Sequence, residues 1–241
     1  MTITMNTTDT TDTTNATPAS GEQATPLPHP PGARSRQPLV AGVTHAAAWV
    51  AGLTVAAGAT PELGDSAAEI TSTYVDDAGR AVAQSVLVHG LAAGALAVLG
   101  VALLRRAAGG RDRATRFAGW AGLTSAVLAV MQLVLELVAI GRADVGDPGL
   151  AGGLFELVQR IDGVKMFALA ALALGVGVAA RRVVPLRRWE SLTGYALAAT
   201  IVGSGLGYLL LNTAFARLAL LSLPLLLVWV VALGHALSRR S

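Results

Sequence analysis

The sequence predicts an all-α protein, a polytopic bundle of six transmembrane helices with both termini in the cytoplasm. Of its 241 residues, 53% are hydrophobic and 14% charged, and the mean hydropathy is +0.58. In a soluble domain about a quarter of the residues are charged. Several apolar runs approach the ~20 residues that a helix needs to cross a bilayer. Arginine clusters follow alternate runs, as the positive-inside rule requires.

Residues 1–37 differ from the rest of the chain in composition. They are Thr-rich, then Pro-rich (TPLPHPPG), and have few large apolar side chains. Such a segment buries too little surface to offset the entropy lost on ordering. We therefore predict a disordered cytoplasmic tail over 1–37 and a transmembrane domain over 38–241. No basic segment followed by a short apolar run opens the chain, so a signal peptide is not expected.

Six apolar segments suit transmembrane helices, with bounds at 39–59, 81–104, 117–141, 163–180, 192–215 and 217–236. The acidic connection after the first segment has helical character around Ser66–Tyr74, which predicts a short helix capping the bundle. The sequence GLFELVQRIDGVKM, ahead of the fourth segment, is amphipathic. It either lies along the interface or extends the fourth helix.

The orientation follows from the arginines, which stand in the tail, after the second and fourth segments and at the C-terminus: Arg34, Arg36, Arg105, Arg106, Arg111, Arg113, Arg116, Arg181, Arg182, Arg187, Arg188, Arg239 and Arg240. Cytoplasmic loops carry such an excess, so both termini are predicted to be cytoplasmic. Lys165 is the only lysine, and Ala and Gly are abundant, which is typical of GC-rich bacterial genomes. We expect a multi-pass protein of the bacterial inner membrane whose partner is the lipid bilayer. The clusters are explained by topology and do not indicate nucleic-acid binding.

The third segment carries Gln132 and Glu136 one helical turn apart. They share one face of the helix with small residues, while Val130 and Val134 lie away from it and suit lipid. Membrane helices turn small and polar residues toward their neighbours. An ionisable group at that depth requires a partner or a function.

Counting residues from the segment centres places several polar side chains in the outer half of the membrane: Glu136, Gln132, His89, Lys165, Asp162, Tyr208 and Asn212. This set has two interpretations. It forms a pocket for a ligand, or it forms a dry clamp in which Lys165 neutralises Glu136.

Other classes of site have little support in the sequence. The chain has no Cys, which excludes thiolate chemistry and Cys-based metal sites. Phosphate-loop, HExxH and GxSxG motifs are missing, so no catalytic residue and no enzyme activity is predicted. His45, His89 and His235 raise the alternative of a b-type haem, but their estimated depths differ, whereas bis-His ligation needs a common level. No cofactor or metal is therefore predicted.

A small secondary transporter is a further alternative. Gly90 and Gly94 interrupt the second segment, and Gly203 and Gly207 interrupt the fifth. Paired interruptions of this kind occur at the binding sites of inverted-repeat transporters. The same spacing also serves ordinary helix packing. The tryptophans, Trp49, Trp120, Trp189 and Trp229, lie where aromatic side chains anchor helices at an interface.

The order of features resembles a group of bacterial six-helix membrane proteins classed only as a domain of unknown function. The likeness is carried by SAAEITSTYVDDAGRAVAQSVLVHGLAAGALAVLGVALLRR, by GLFELVQRIDGVKMFALAALALGVGVAARRVVPLRRWESLTGYALA and by the Leu-rich last helix. The resemblance implies an integral membrane protein and supplies no substrate or catalytic residue. The sequence thus favours a non-enzymatic protein that binds a small hydrophobic or cationic ligand, or that serves as a subunit beside a membrane partner.

Overall fold

The computed structural model describes residues 35–108, 112–180 and 184–239. Within these ranges the chain is helical and contains no strand, which confirms the all-α class. The elements are α1 (Gln37–Val55), α2 (Ala67–Asp76), α3 (Ala78–Ser85), a π-helix (Val86–Leu91), α4 (Ala92–Ala108), α5 (Arg113–Asp144), α6 (Pro148–Ala179), α7 (Arg188–Leu209), α8 (Thr213–Ala216) and α9 (Ala219–Ser238).

Six helical segments in the described part of the chain are long and apolar enough to cross a membrane: Gln37–Val55, Ala78–Ala108, Arg113–Asp144, Pro148–Ala179, Arg188–Leu209 and Thr213–Ser238. The predicted number is confirmed, and the bounds differ most at the start of the fourth span and at the end of the fifth. The fourth span begins at Pro148, because Asp147 accepts a hydrogen bond from Leu150 N at 3.1 Å and starts the helix there. The amphipathic segment is thus part of α6. The fifth span ends at Leu209, since Leu211 adopts a φ of 54°.

The six spans form a closed ring in which sequence neighbours are also neighbours in space. α1 packs against α4, α4 against α5, α5 against α6, α6 against α7 and α7 against α9, which returns to α1. Glycines allow the closest approaches. A Cβ at Gly42 of α1 would lie 2.7 Å from Val230 O of α9, and one at Gly163 of α6 would lie 2.6 Å from Gly205 O of α7. Small residues at membrane-helix interfaces permit such backbone contact.

Two apolar layers fill the ring at different heights. The larger lies toward the end where α4 and α9 finish, and it includes Leu99, Leu172 and Trp229. The smaller lies at the opposite end and joins α2, α3, α5 and α6 through residues such as Ile140 and Phe155. The polar side chains of the third and fourth spans lie between these layers.

The short helix α2 covers the smaller layer, as the sequence predicted for Ser66–Tyr74. Its first turn has a capping box: Glu69 N donates to Ser66 Oγ at 3.3 Å, and Ser66 N donates to Glu69 Oε2 at 2.8 Å. The Ser66 hydroxyl also donates to Glu69 Oε2, at 2.7 Å, and the backbone and hydroxyl bonds that Ser66 donates hold the pKa of the exposed Glu69 carboxyl below its usual value of 4.5. A Cβ at Gly152 of α6 would lie 2.9 Å from Ala67 Cβ, so α2 lies directly on α6.

The arginine-bearing ends of the helices gather at one end of the ring. Arg106 at the end of α4 donates to Leu237 O of α9, and Leu39 N of α1 donates to Ser238 Oγ at 3.0 Å. Five of the predicted cytoplasmic arginines (34, 111, 181, 182 and 240) lie outside the described residues, as does the rest of 1–34. The predicted cytoplasmic arginines that the structure describes therefore lie at one end of the ring, as the charge pattern of the sequence predicts. That this end faces the cytoplasm stays a prediction.

Gly163→Ala is expected to destabilise the bundle. Its Cβ would meet the backbone of α7 at Gly205 O (2.6 Å) and at Leu209 N (2.7 Å), neither of which can rotate away. Overpacking of this kind costs about 1–3 kcal/mol, which should lower the apparent melting temperature in detergent. Gly141→Ala is the control, because its Cβ would meet nothing within 4 Å. An equal response of the two variants would contradict the close α6–α7 approach.

The capping box of α2 predicts a pH dependence. A folded-state pKa below the usual 4.5 means that Glu69 stabilises α2 above that pH, and that the stabilisation is lost as the pH falls through the depressed pKa. Amide hydrogen exchange of the first turn, corrected for intrinsic rate, should therefore speed up at low pH. Glu69→Gln keeps a capping side chain that does not titrate. It should remove the pH dependence, and persistence of the dependence in that variant would contradict the assignment.

Candidate functional site

Five polar side chains from three spans meet between the two apolar layers. They are His89, Gln132, Glu136, Asp162 and Lys165, here termed the polar cluster. Gln132, Glu136 and Lys165 are 1%, 8% and 5% exposed. The cluster extends from the middle of α6 to the arginine-poor half of α5. Tyr74 and Phe155 pack edge-on above it, with ring centroids 6.5 Å apart.

On the α6 side the central contact is an ion pair between Lys165 and Asp162, which are three residues apart on one helix. Gln132 Nε2 of α5 donates to Asp162 Oδ1 at 3.0 Å and to Val158 O at 3.1 Å. The Lys165 ammonium also lies 5.9 Å from the centre of the Trp49 ring, within range of a cation–π interaction. Three helices, α1, α5 and α6, are joined at this point.

On the α5 side, His89 Nε2 lies 3.5 Å from Glu136 Oε2. This separation is that of an ion pair and is longer than a good hydrogen bond. His89 lies within the π-helix Val86–Leu91, and π-helical turns inside α-helices are frequent at functional sites. The hydroxyl of Ser85, which donates to Ala81 O at 3.0 Å, also lies beside Glu136.

The structure pairs the charges differently from the clamp expected from the sequence. Lys165 neutralises Asp162 rather than Glu136, and Glu136 lies against His89. The reason is the greater length of α6. Once the helix starts at Pro148, Asp162 and Lys165 occupy the same helical face, where residues three apart are neighbours.

Of the two remaining predicted residues, Tyr208 lies near the polar cluster and Asn212 does not. Tyr208 is half-buried on α7 and near enough to Asp162 to interact with it electrostatically. Asn212 is not brought to the cluster. It lies in the exposed connection after α7, where its Oδ1 accepts from Ala214 N at 3.1 Å and from Phe215 N at 3.2 Å and so caps α8. The prediction placed Asn212 inside a fifth helix that continued to residue 215, whereas α7 ends at Leu209.

The formal charges of the cluster do not balance. Two carboxylates, Glu136 and Asp162, face one ammonium, Lys165. His89 adds a positive charge only if it is protonated. With neutral imidazole and both carboxyls ionised, the cluster carries one excess negative charge, and a buried charge without compensation costs several kcal/mol.

The cluster also leaves buried oxygen atoms without hydrogen-bond partners. Ser125 Oγ, Gln132 Oε1 and Glu136 Oε2, all on one face of α5, lack a partner, as does Tyr74 OH of α2. Most buried polar groups in proteins are satisfied, so each exception requires an explanation. Gln132 Oε1 is an amide oxygen that only accepts, and Glu136 Oε2 is an acceptor when its carboxyl is ionised. With Glu136 ionised, the site therefore presents unpaired acceptors and negative charge on one face of α5.

Sequence reasoning missed three residues that touch or border the cluster. Trp49 was expected to anchor α1 at an interface, but it lies over Lys165. Trp229 likewise lies in the apolar core, whereas Trp120 and Trp189 are exposed. Ser85 and Tyr74 were not singled out. The helical character predicted for Ser66–Tyr74 would have pointed to Tyr74 as the buried end of α2, and nothing distinguishes Ser85 from other serines.

The histidines are distributed in a way that does not favour a bis-His haem. His45 is buried, and its Nδ1 donates to Ala92 O at 2.9 Å. His235 is exposed and accepts a hydrogen bond from Arg239 Nε at 3.1 Å. In the part of the chain described by the structure, no three His, Asp or Glu side chains are grouped as they would be around a metal ion.

The chain matches no protein-family model, no curated protein and no solved structure. The resemblance to six-helix bacterial membrane proteins therefore stays an expectation from the sequence. The functional argument depends on the geometry of the polar cluster.

The Lys165–Asp162 pair predicts a pattern of stabilities. Lys165→Met should cost about 3–5 kcal/mol, because it leaves a buried carboxylate unpaired. Adding Asp162→Asn should restore most of the loss, since both charges are then gone. Unfolding midpoints in detergent measure both effects. Arg142→Met, at an exposed position on α5, is the control and should change little. A double variant as unstable as Lys165→Met alone would show that the pair is not the principal interaction of Lys165.

Proposed function

We propose that this chain is a non-enzymatic multi-pass membrane protein whose polar cluster binds a small cationic ligand. The single observation that carries the proposal is the pair of buried oxygens one helical turn apart on α5, Gln132 Oε1 and Glu136 Oε2, that have no hydrogen-bond partner. A ligand that supplies hydrogen-bond donors and one positive charge satisfies these atoms. It also balances the excess charge of Glu136 and Asp162 over Lys165.

A purely structural clamp explains these features less well. In a clamp the polar groups bond to one another, as Gln132 does to Asp162. Partly satisfied networks are less stable than an apolar core of the same shape. The Glu136–His89 half of the cluster is of this partly satisfied kind, and it lies at a π-helical turn. Both features are typical of binding sites.

The surroundings fit a ligand held away from bulk water. α2 and the smaller apolar layer cover the cluster at one end, and the larger layer closes it at the other. Location in the bacterial inner membrane, with cytoplasmic termini, belongs to the same proposal and is supported by the arginine pattern. Membership of the resembling six-helix group is likewise proposed on its quoted motifs alone.

A small secondary transporter is the second candidate, and the π-helix favours it. Interrupted helices next to a buried charged site are common in transporters. The two glycine pairs, however, behave differently. Gly203 and Gly207 pack against side chain or backbone at and before the start of α9, whereas Gly94 has no neighbour within 4 Å of a Cβ position. A simple inverted repeat would make the two pairs equivalent in packing, and they are not.

The proposal predicts that small cations stabilise the protein through Glu136. The apparent melting temperature of purified protein should be measured in Na⁺, K⁺ and methylammonium chloride, against N-methylglucamine chloride at equal ionic strength. A ligand at 100 times its Kd stabilises a folded state by about 2.7 kcal/mol. We expect a saturable rise for at least one of these cations, and its loss in Glu136→Gln.

The matched control is Glu156→Gln, which removes the same charge from an exposed position on α6 and should keep the response. If no cation stabilises the wild type, or if Glu136→Gln responds as the wild type does, the binding site is disproved. Uptake of the stabilising cation into proteoliposomes separates the transporter from a protein that only binds.

A further inference from the structure

A groove of about 1120 Å³ opens between α1 and the helix formed by the π-helix and α4. Its floor and walls are apolar and include Val40 of α1 and Val98 of α4, which are 60% and 42% exposed. It reaches from Gly90 and Leu91, next to His89, to the arginine-bearing end of the ring. At ~1.5 Å per residue the stretch from Leu91 to Arg105 is about 21 Å long.

Two glycines, Gly90 and Gly94, leave room along the groove. A Cβ at Gly94 would meet nothing within 4 Å, and one at Gly90 would make only an ordinary contact of 3.5 Å with Leu133. Elsewhere in the ring, glycines such as Gly42 and Gly163 bring two backbones together. Small-xxx-small spacing normally closes a helix interface. Here it keeps a channel open along the side of the bundle.

The mouth of the groove is basic. Arg36 and Arg105 are exposed there, and neither side chain has an ion-pair or hydrogen-bond partner in the described part of the chain. The Arg106 guanidinium is fixed beside them through its bond to Leu237 O. No Asp or Glu is among the described lining residues. The occupant that complements this surface has an apolar body and an anionic end.

The dimensions and the surroundings narrow the occupant further. The groove is larger than the ~300–1,000 Å³ of a typical small-molecule pocket. The groove is longer than the ~15 Å depth of the hydrocarbon region of one leaflet. It can therefore take a full acyl chain. Basic pockets between transmembrane helices on the cytoplasmic side bind anionic lipid head groups.

We propose that this groove is a binding site for an anionic phospholipid, with one acyl chain along Gly90 and Gly94 and the head group at Arg36 and Arg105. The site is independent of the cation site proposed above, because none of the five polar-cluster residues lines it. It places a bound lipid one residue from His89.

Native mass spectrometry tests the site. The full chain is reconstituted in nanodiscs of equimolar phosphatidylglycerol and phosphatidylethanolamine with identical acyl chains, and the retained lipids are counted on release. The wild type should retain phosphatidylglycerol several-fold more often than phosphatidylethanolamine. The double variant Arg36→Gln/Arg105→Gln should retain the two equally. Gly94→Leu, whose Cβ would meet nothing within 4 Å, places a side chain in the groove and should retain less of both.

Gly141→Leu is the matched control, since Gly141 also has nothing near its Cβ position but lies outside the groove; it should bind lipid as the wild type does. Equal retention of the two lipids by the wild type would overturn the proposal. So would unchanged retention in Gly94→Leu, or a dimer that Gly94→Leu abolishes, because the occupant would then be a second copy of the chain.

Discussion

A charge inside a membrane must find its compensation within the protein, and this requirement organises the bundle. Lys165 and Asp162 neutralise one another on α6, and Gln132 of α5 completes the Asp162 end. The positions of α5 and α6 are therefore coupled through a polar contact as well as through packing. Apolar layers above and below keep that contact dry, which strengthens it. In the Glu136–His89 contact, by contrast, Glu136 Oε2 and His89 Nδ1 have no hydrogen-bond partner.

Backbone proximity at glycines determines where the polar groups can meet. Gly163, beside Asp162, brings α6 against Gly205 of α7. This approach is the reason that Tyr208, one turn further along α7, comes near Asp162. On α1, Gly52 follows Trp49 by three residues, and it lies against Val88 of the π-helix. Close helix contacts and the buried charges thus occur at the same level of the ring.

Much of the fold could be predicted from the sequence, because hydropathy and charge act over whole segments. The number of spans, the helical cap at α2 and the burial of Gln132 and Glu136 all followed from periodicity. The pairing of Lys165 did not, because it depends on where α6 begins. Asp147 and Pro148 signal that start locally, but the amphipathic stretch after them suited an interfacial segment equally well. Asn212 was misplaced for a similar reason: apolar residues continue past Leu209, and only the backbone at Leu211 ends the helix.

The unequal lengths of the spans have a mechanical consequence. α5 and α6 have 32 residues each, about 48 Å at ~1.5 Å per residue, whereas a bilayer's hydrocarbon core is ~30 Å thick. α1, by contrast, has 19 residues and matches the core closely. These two helices, like the 31-residue second span, must tilt or project beyond the lipid, so hydrophobic mismatch acts unevenly around the ring. A change in bilayer thickness therefore loads α1 and the two longest helices unequally, and the Lys165–Trp49 contact joins α1 to α6 across that difference.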